Sequence, residues 1–146
     1  MYTLWKRSAP PASMEIFNAP SRETCTVRRE RTNTPLQALV MMNDPQFVEA
    51  ARVLAEGSMK AGGDVDARAG YMAARLLGRG LEDREKAVVR EAYRAFLKHY
   101  DSVPGDAKKL VGVGEKKAAD DLPVVELAAL TMVANQLMNL DEVLVK

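Results

Sequence analysis

Two side chains of this sequence could take part in nucleophilic or acid–base chemistry: the single histidine, His99, and the single cysteine, Cys25. His99 could act as a general base or a metal ligand, because a ring nitrogen of imidazole can accept a proton or bind a metal ion. It has no carboxylate or second histidine at ligand spacing, so we predict a plain histidine at the edge of a helix. A nucleophilic Cys25 would need a lowered thiol pKa and a histidine base. We instead predict that Cys25 is a small buried hydrophobic residue.

The densest basic stretch, residues 28–33, reads Arg-Arg-Glu-Arg-Thr-Asn and lies just before a predicted helix start. It could bind phosphate groups, with the helix N-terminus adding N–H donors. We favour two other interpretations. The stretch is either a solvated loop, or its arginines pair with acids and carbonyl groups of the same fold. The formal net charge of +1 gives no general attraction to nucleic acid. Nucleic acid is therefore not the predicted partner, and polyanion binding through the stretch from Arg22 to Arg31 is kept as an alternative.

A weaker candidate site is a polar cluster of Arg28, Arg31, Asn33 and Asn43 near the first predicted helix. These side chains would line an active site whose other residues lie upstream of Met1. The glycines of the chain do not form a phosphate-binding loop, because no Gly-Lys-Ser/Thr motif follows them. Within the chain itself we predict no catalytic residue, no cofactor and no metal ligand.

The composition indicates which elements position these residues. Apolar residues make up 47% of the 146-residue chain but aromatic residues only 5%, so the core must be mostly Leu, Val, Met and Ala. Such cores are typical of packed helices rather than of β-sandwiches. We predict an all-α fold: an irregular bundle of about five helices around a buried C-terminal helix, with an extended N-terminal arm.

Capping residues predict where the helices begin. Thr34, Pro35 and Gln37 form a capping box with proline at the first helical position. The predicted helices span residues 34–42, 45–61, 64 or 66 to about 77, 83–100, and a last stretch after residue 121, with a short turn over 107–111. The tight join between the first two could indicate a helix-turn-helix DNA binder. Glu49 and Glu56 argue against it, because acids repel DNA phosphates.

The last predicted helix contains residues 127–140, a stretch without a charged side chain. It is too short and too polar to span a bilayer, so no membrane span is predicted. A helix that is apolar nearly all round lies at the centre of a fold, and we expect the other helices to pack around it. Its polar side chains must be hydrogen-bonded, and we expect them to bind the arm or the loop before the first helix. They are Thr131, Asn135, Gln136 and Asn139.

Residues 1–33 show neither helical nor strand periodicity, and Pro10, Pro11 and Pro20 exclude a long helix. The segment has more apolar residues than a simple linker: Tyr2, Leu4, Trp5, Ile16 and Phe17. We predict an extended arm that docks on a helical domain of residues 34–146. The alternative is a piece of another domain whose remainder is missing.

Four stretches of the chain resemble one known family. Residues 21–39, SRETCTVRRERTNTPLQAL, and residues 43–52, NDPQFVEAAR, form the longest and most specific part of the match. Residues 2–7, YTLWKR, and residues 131–142, TMVANQLMNLDE, extend it to nearly the whole chain in register. The sequence is similar to the C-terminal part of a planctomycete family of unknown function, whose large proteins often carry cytochrome c-like domains upstream.

The resemblance implies that Met1 is an internal start and that the chain is a fragment of a larger protein. Such proteins are expected to be exported or associated with the cell envelope. The haem-attachment pattern Cys-x-x-Cys-His of the upstream domains has no counterpart in this chain. The resemblance therefore places no haem on any residue here, and it implies no biochemical activity.

We therefore predict a protein of unknown function whose chain is a non-enzymatic helical module with an interaction or structural role. Its expected partner is protein, either its own upstream domains or a second copy. The first alternative is part of an enzyme whose active site is completed by domains upstream. The second alternative is the polyanion or nucleic-acid binder described above.

Overall fold

The computed structural model of the chain describes residues 11–21, 23–28 and 30–145. This described part is all-α, as predicted, and has no β-strand. Its helices, in chain order, are α1 (Ala12–Ile16), α2 (Pro35–Asn43), α3 (Pro45–Ala61), α4 (Val65–Leu76), α5 (Asp83–Ser102), α6 (Pro104–Val111), α7 (Val124–Met138) and α8 (Asp141–Leu144).

The described residues form eight helices, three more than the five predicted. The three additional helices are short. Helices α1 and α8 have five and four residues, and α6 has eight where only a turn was expected. One or two turns place too few residues on a face to give a clear helical period in the sequence. Their stability comes from contacts with the longer helices rather than from their own hydrogen bonds.

The N-terminal arm differs from the expectation in its described part. Helix α1 forms directly after Pro11, whose φ of −58° suits the helix start. The chain leaves this helix through Asn18, which has a φ of +55°. The described residues between 19 and 34 have no regular structure. The apolar residues at positions 2, 4 and 5 lie outside the described residues, and the division at residue 33 stays a prediction.

The predicted capping box is observed, and an aspartate caps each of the next two helices. The side chain of Thr34 accepts from Gln37 N at 3.3 Å, and Gln37 Oε1 accepts from Thr34 N at 3.0 Å. Asp44 caps α3 by accepting from Gln46 N at 2.8 Å. Asp64 caps α4 in the same way. Each cap stabilises its helix by about 1 kcal/mol, because it satisfies an N–H group without an intrahelical partner.

Helix α7 is the centre of the bundle, as predicted. It packs against α2, α3, α4, α5, α6 and α8. Most of its side chains are buried: Leu127, Ala128, Ala129, Leu130, Thr131, Val133, Ala134, Asn135, Leu137 and Met138. Alanines on several sides let the neighbouring helices approach closely. None of the helices in the described part of the chain combines the length and the apolar character needed to cross a bilayer.

Candidate functional site

Two members of the predicted polar cluster hold the C-terminal end of the described chain. Arg31 donates from Nη1 to the carbonyl oxygen of Val145 at 3.2 Å. Asn33 donates from Nδ2 to Oδ1 of Asp141 at 2.9 Å. Both donors precede α2, and both acceptors lie in or directly after α8. The two side chains therefore fasten α8 to the segment that leads into α2.

The other two members of the cluster have different surroundings. Asn43 donates from Nδ2 to the carbonyl oxygen of Leu39 at 2.8 Å, within α2 itself. Arg28 is exposed in the segment before α2. Arg22 and Arg29, which belong to the same basic stretch, lie outside the described residues. The grouping of the four residues in one active site stays a prediction, as does polyanion binding by the stretch.

The prediction that Cys25 is buried is wrong. Its thiol is free and exposed. The described residues 23–28 have no regular structure, and all of them are exposed. A small side chain is buried only where helices or strands pack over it, and no helix of the described chain includes this segment.

His99 lies near the C-terminal end of α5 and is exposed, as expected for a histidine at the edge of a helix. Its ring meets the ring of Tyr100 edge-on, with centroids 5.0 Å apart. Among the described residues, no three His, Cys, Asp or Glu side chains lie in a group that could hold a metal ion.

The polar side chains of α7 bind partners other than those predicted. The buried Asn135 donates from Nδ2 to the carbonyl oxygen of Met41 in α2, at 3.0 Å. This carbonyl lies in the last turn of its helix, where no intrahelical donor is available. Thr131 donates to Leu127 O within α7, and Gln136 is exposed. Asn135 therefore fastens α2, and not the arm, to the central helix.

Helix α3 contains a buried ion pair, Arg52 with Glu56. Arg52 is fully buried and Glu56 is 6% exposed. Arg52 donates from Nη1 to Oε1 of Glu56 and from Nη2 to the carbonyl oxygen of Lys116. A guanidinium held inside the fold in this way does not reach a DNA phosphate. This position is therefore unlike that of a groove-facing recognition helix.

Three side chains on one face of α3 fix the loop between α6 and α7. They are Glu49, Arg52 and Glu56, spaced by three and four residues, which places them above one another on the helix. Glu49 accepts from two backbone N–H groups of the loop residues 115–119, at 2.7 and 3.3 Å. Glu56 accepts from a third N–H group at 3.3 Å, and Arg52 donates to a carbonyl of the same segment. We call this arrangement the α3 latch.

We expect Gly114→Ala to lower the free energy of unfolding by about 1–3 kcal/mol. Gly114 has a φ of +100°, and an added Cβ would lie 2.7 Å from Cβ of Glu49 in the α3 latch. Gly70→Ala is the control, because its added Cβ meets nothing within 4 Å inside α4. The control should be about 1 kcal/mol more stable than wild type. Urea unfolding followed by circular dichroism measures both, and an unchanged Gly114→Ala midpoint would contradict the prediction.

A second ionic cluster joins the start of α5 to α8. Arg79 Nη2 lies 2.8 Å from Oε1 of Glu85 and 2.8 Å from Oε2 of Glu142. The hydrogen bond from Arg79, followed by that from the backbone N–H of Glu82, lowers the pKa of Glu85 to about 2. Glu85 is therefore ionised at neutral and mildly acidic pH. Because the cluster is partly exposed to solvent, its role is to position α8 more than to add stability.

Helix α2 carries an exposed apolar surface formed by Leu36, Leu39 and Met42, which we call the α2 face. Their exposed fractions are 53%, 56% and 50%. The spacing of three residues places them on one side of the helix. The opposite side is covered, because Gln37 and Met41 are buried. Adjacent large apolar side chains in contact with water mark a contact surface more often than isolated ones do.

A groove of about 370 Å³ between α1 and α2 adjoins the α2 face. We call it the α1–α2 groove; its lining is Ala12, Ile16, Leu39, Val40, Asn43 and Asp44. Gln37 donates from Nε2 to the carbonyl oxygen of Ile16 at 2.9 Å, which fixes α1 against α2. The mainly apolar lining suits an apolar side chain better than a charged substrate.

This surface was not predicted from the sequence. The available signal was that α2 has apolar residues on both sides, although one short helix can bury only one side against a bundle. Of the predicted polar cluster, only Asn43 lines the α1–α2 groove.

A sequence model of the family described as PSD1, protein of unknown function (DUF1553), matches residues 1–93. No curated protein and no solved structure matches the chain. The matched residues include α1 to α4 and the first half of α5, and with them the α2 face and all four members of the predicted polar cluster.

Proposed function

The chain belongs to the PSD1 family of proteins of unknown function (DUF1553), and from this premise we propose that it is a non-enzymatic helical interaction module. It acts through contact of the α2 face with protein. The partner is the upstream part of the same protein or a second copy of the chain.

The observation that carries this proposal is the exposure of three large apolar side chains on one side of α2. The groove beside them adds a mainly apolar cavity, so the surface offers shape as well as area. The hydrogen-bonding groups of Arg31 and Asn33 are used within the fold. These internal hydrogen bonds favour a role in protein binding over a role in catalysis, because a catalytic side chain must be able to reach a substrate.

We further propose that the module is the C-terminal part of a larger planctomycete-type protein with cytochrome c-like domains upstream. Such a protein is exported or associated with the cell envelope. The resemblance of residues 21–39 and 43–52 to that family supports this proposal. In that setting the upstream part of the same protein is always present at high effective concentration, which favours a contact within one molecule.

Thiol labelling tests the proposed function. Cys25→Ser first removes the exposed natural thiol, and Leu39→Cys or Val88→Cys then places a new one. Val88 is the matched control, since it is 67% exposed on α5 while Leu39 is 56% exposed on α2. The reaction with a small maleimide is followed in this chain and in the protein extended by the upstream sequence of its reading frame.

We expect the thiol at position 39 to react at least about tenfold more slowly than the thiol at position 88 in one of these proteins, the ratio for a contact of ~1.4 kcal/mol. Equal rates at the two positions in both proteins would overturn the proposed function. Circular dichroism of each variant shows whether the helical fold is kept.

A further inference from the structure

The chain itself contains a segment that fits the exposed surface of α2. We propose that residues 1–10, MYTLWKRSAP, dock on the α2 face and the α1–α2 groove, with Tyr2, Leu4 and Trp5 as the apolar anchors. The inference rests on the proposed function, since the site is the same, and it narrows the partner, there the upstream part of the same protein, to the ten residues directly before Pro11. The helical module thereby binds the N-terminal segment of its own chain.

Residues 1–10 are covalently attached to α1, which lines the groove. Residue 10 is followed by Pro11, the N-cap of α1, and Ala12 and Ile16 of that helix line the groove. Ten residues reach at most about 33–36 Å when extended. Helix α2, with nine residues, is only about 13.5 Å long. The segment can therefore follow α2 from end to end.

The chemistry of the segment matches the surface. Its first five residues are mainly apolar, like the α2 face. Lys6 and Arg7 come next, nearer to α1, and Asp44 in the groove lining carries the opposite charge. Trp5 offers a large rigid ring, the type of side chain that anchors interfaces. The segment thus offers an apolar part to the α2 face and a basic part to Asp44.

The size of the surface favours this segment over a second copy. The α2 face and the α1–α2 groove together comprise eight residues, since Leu39 belongs to both. A stable interface between two proteins covers about 800 Å² and roughly 20–30 residues on each side. A short peptide segment needs far less area, because its attachment to α1 already removes most of the entropy cost of association.

The fluorescence of Trp5, the single tryptophan of the chain, tests the proposal. We expect Trp5 to be shielded from acrylamide in the full chain. Leu39→Lys should shift docking about tenfold toward the undocked state, because it places a charge in an apolar contact. The accessible fraction of Trp5 would rise accordingly. Val88→Lys, an equal change on α5, should leave the quenching of Trp5 unchanged.

A second measurement does not depend on the folding of the Leu39→Lys variant. Trp5→Ala should speed maleimide labelling of the Leu39→Cys thiol and leave labelling of the Val88→Cys thiol unchanged. Shielding of Trp5 should also be the same when the protein is diluted, because the contact lies within one chain.

The outcomes separate this inference from the proposed function. Quenching of Trp5 that is equal in wild type and Leu39→Lys, with unchanged Leu39→Cys labelling in Trp5→Ala, overturns docking of the segment. Protection that disappears on dilution assigns the surface to a second copy, which overturns the inference and keeps the proposed function. A Leu39→Cys thiol that is unprotected even with the upstream sequence present overturns both.

Discussion

Replacement of Arg52 by methionine is expected to lower the free energy of unfolding by about 3–5 kcal/mol. Arg52 is fully buried and bridges Glu56 to the carbonyl oxygen of Lys116. Its removal leaves a buried carboxylate without its cation and a loop carbonyl without its donor. The cost is therefore mostly that of an uncompensated buried charge, and it should be far larger than the loss of one exposed ion pair.

Urea unfolding at equilibrium measures this loss of stability. Two further variants show whether the loss arises from the buried ion pair. Lys109→Met removes an ion pair whose lysine side chain is 81% exposed, and it should cost less than about 1 kcal/mol. The double variant Arg52→Met/Glu56→Leu removes both charges and should regain part of the stability, because apolar pairs often replace buried ion pairs without loss.

The comparison also tests the α3 latch. In Arg52→Met, we expect faster hydrogen exchange of the loop amides that Glu49 and Glu56 bind, because the loop loses its donor to the Lys116 carbonyl oxygen and Glu56 loses its cation. If Arg52→Met is no less stable than Lys109→Met, the buried ion pair does not hold the loop, and the latch as described is wrong.

Leu127→Ala is expected to cost about 2–5 kcal/mol, the range for large-to-small changes in a packed core. Leu127 is fully buried in α7, the helix against which most of the others pack. The cavity would lie where several helices meet, so no single neighbour can move in to fill it. The same chemical change on the surface, Leu140→Ala, should cost much less, because Leu140 is 38% exposed.

Thermal and urea unfolding of the two leucine variants distinguish a central α7 from a peripheral one. Similar losses in Leu127→Ala and Leu140→Ala would mean that α7 is not the helix on which the core depends. A large loss only in Leu127→Ala is the expected result, and near-ultraviolet circular dichroism of that variant shows whether the remaining core is still uniquely packed.

Much of the helical layout can be predicted from the sequence, because caps act over a few residues. The Thr34 and Gln37 capping box is complete within four positions, and the caps at Asp44 and Asp64 need only the next turn. The burial of α7 follows from composition as well, since from Leu127 onward the helix is uncharged and apolar on nearly all sides, and such a helix is stable only inside a fold.

The contacts that define the candidate site could not be predicted in this way. Arg31 meets Val145 across 114 residues, and Arg52 meets Lys116 across 64. Such pairs depend on how the helices pack, and a single sequence contains no signal of which distant residues meet. The prediction for Cys25 failed for the same reason, because its apolar character says nothing about whether another element covers it.

By itself, the sequence determined the all-α class, most helix starts and the central position of α7, because these follow from hydrogen bonds and periodicity within single segments. Only the tertiary structure decided which side of α2 is covered. Both sides of that helix carry apolar residues, but Met41 is buried where α2 packs on α7, whereas Leu36, Leu39 and Met42 stay in contact with water. The physical reason is that burial is a property of the neighbouring elements and not of the side chain alone.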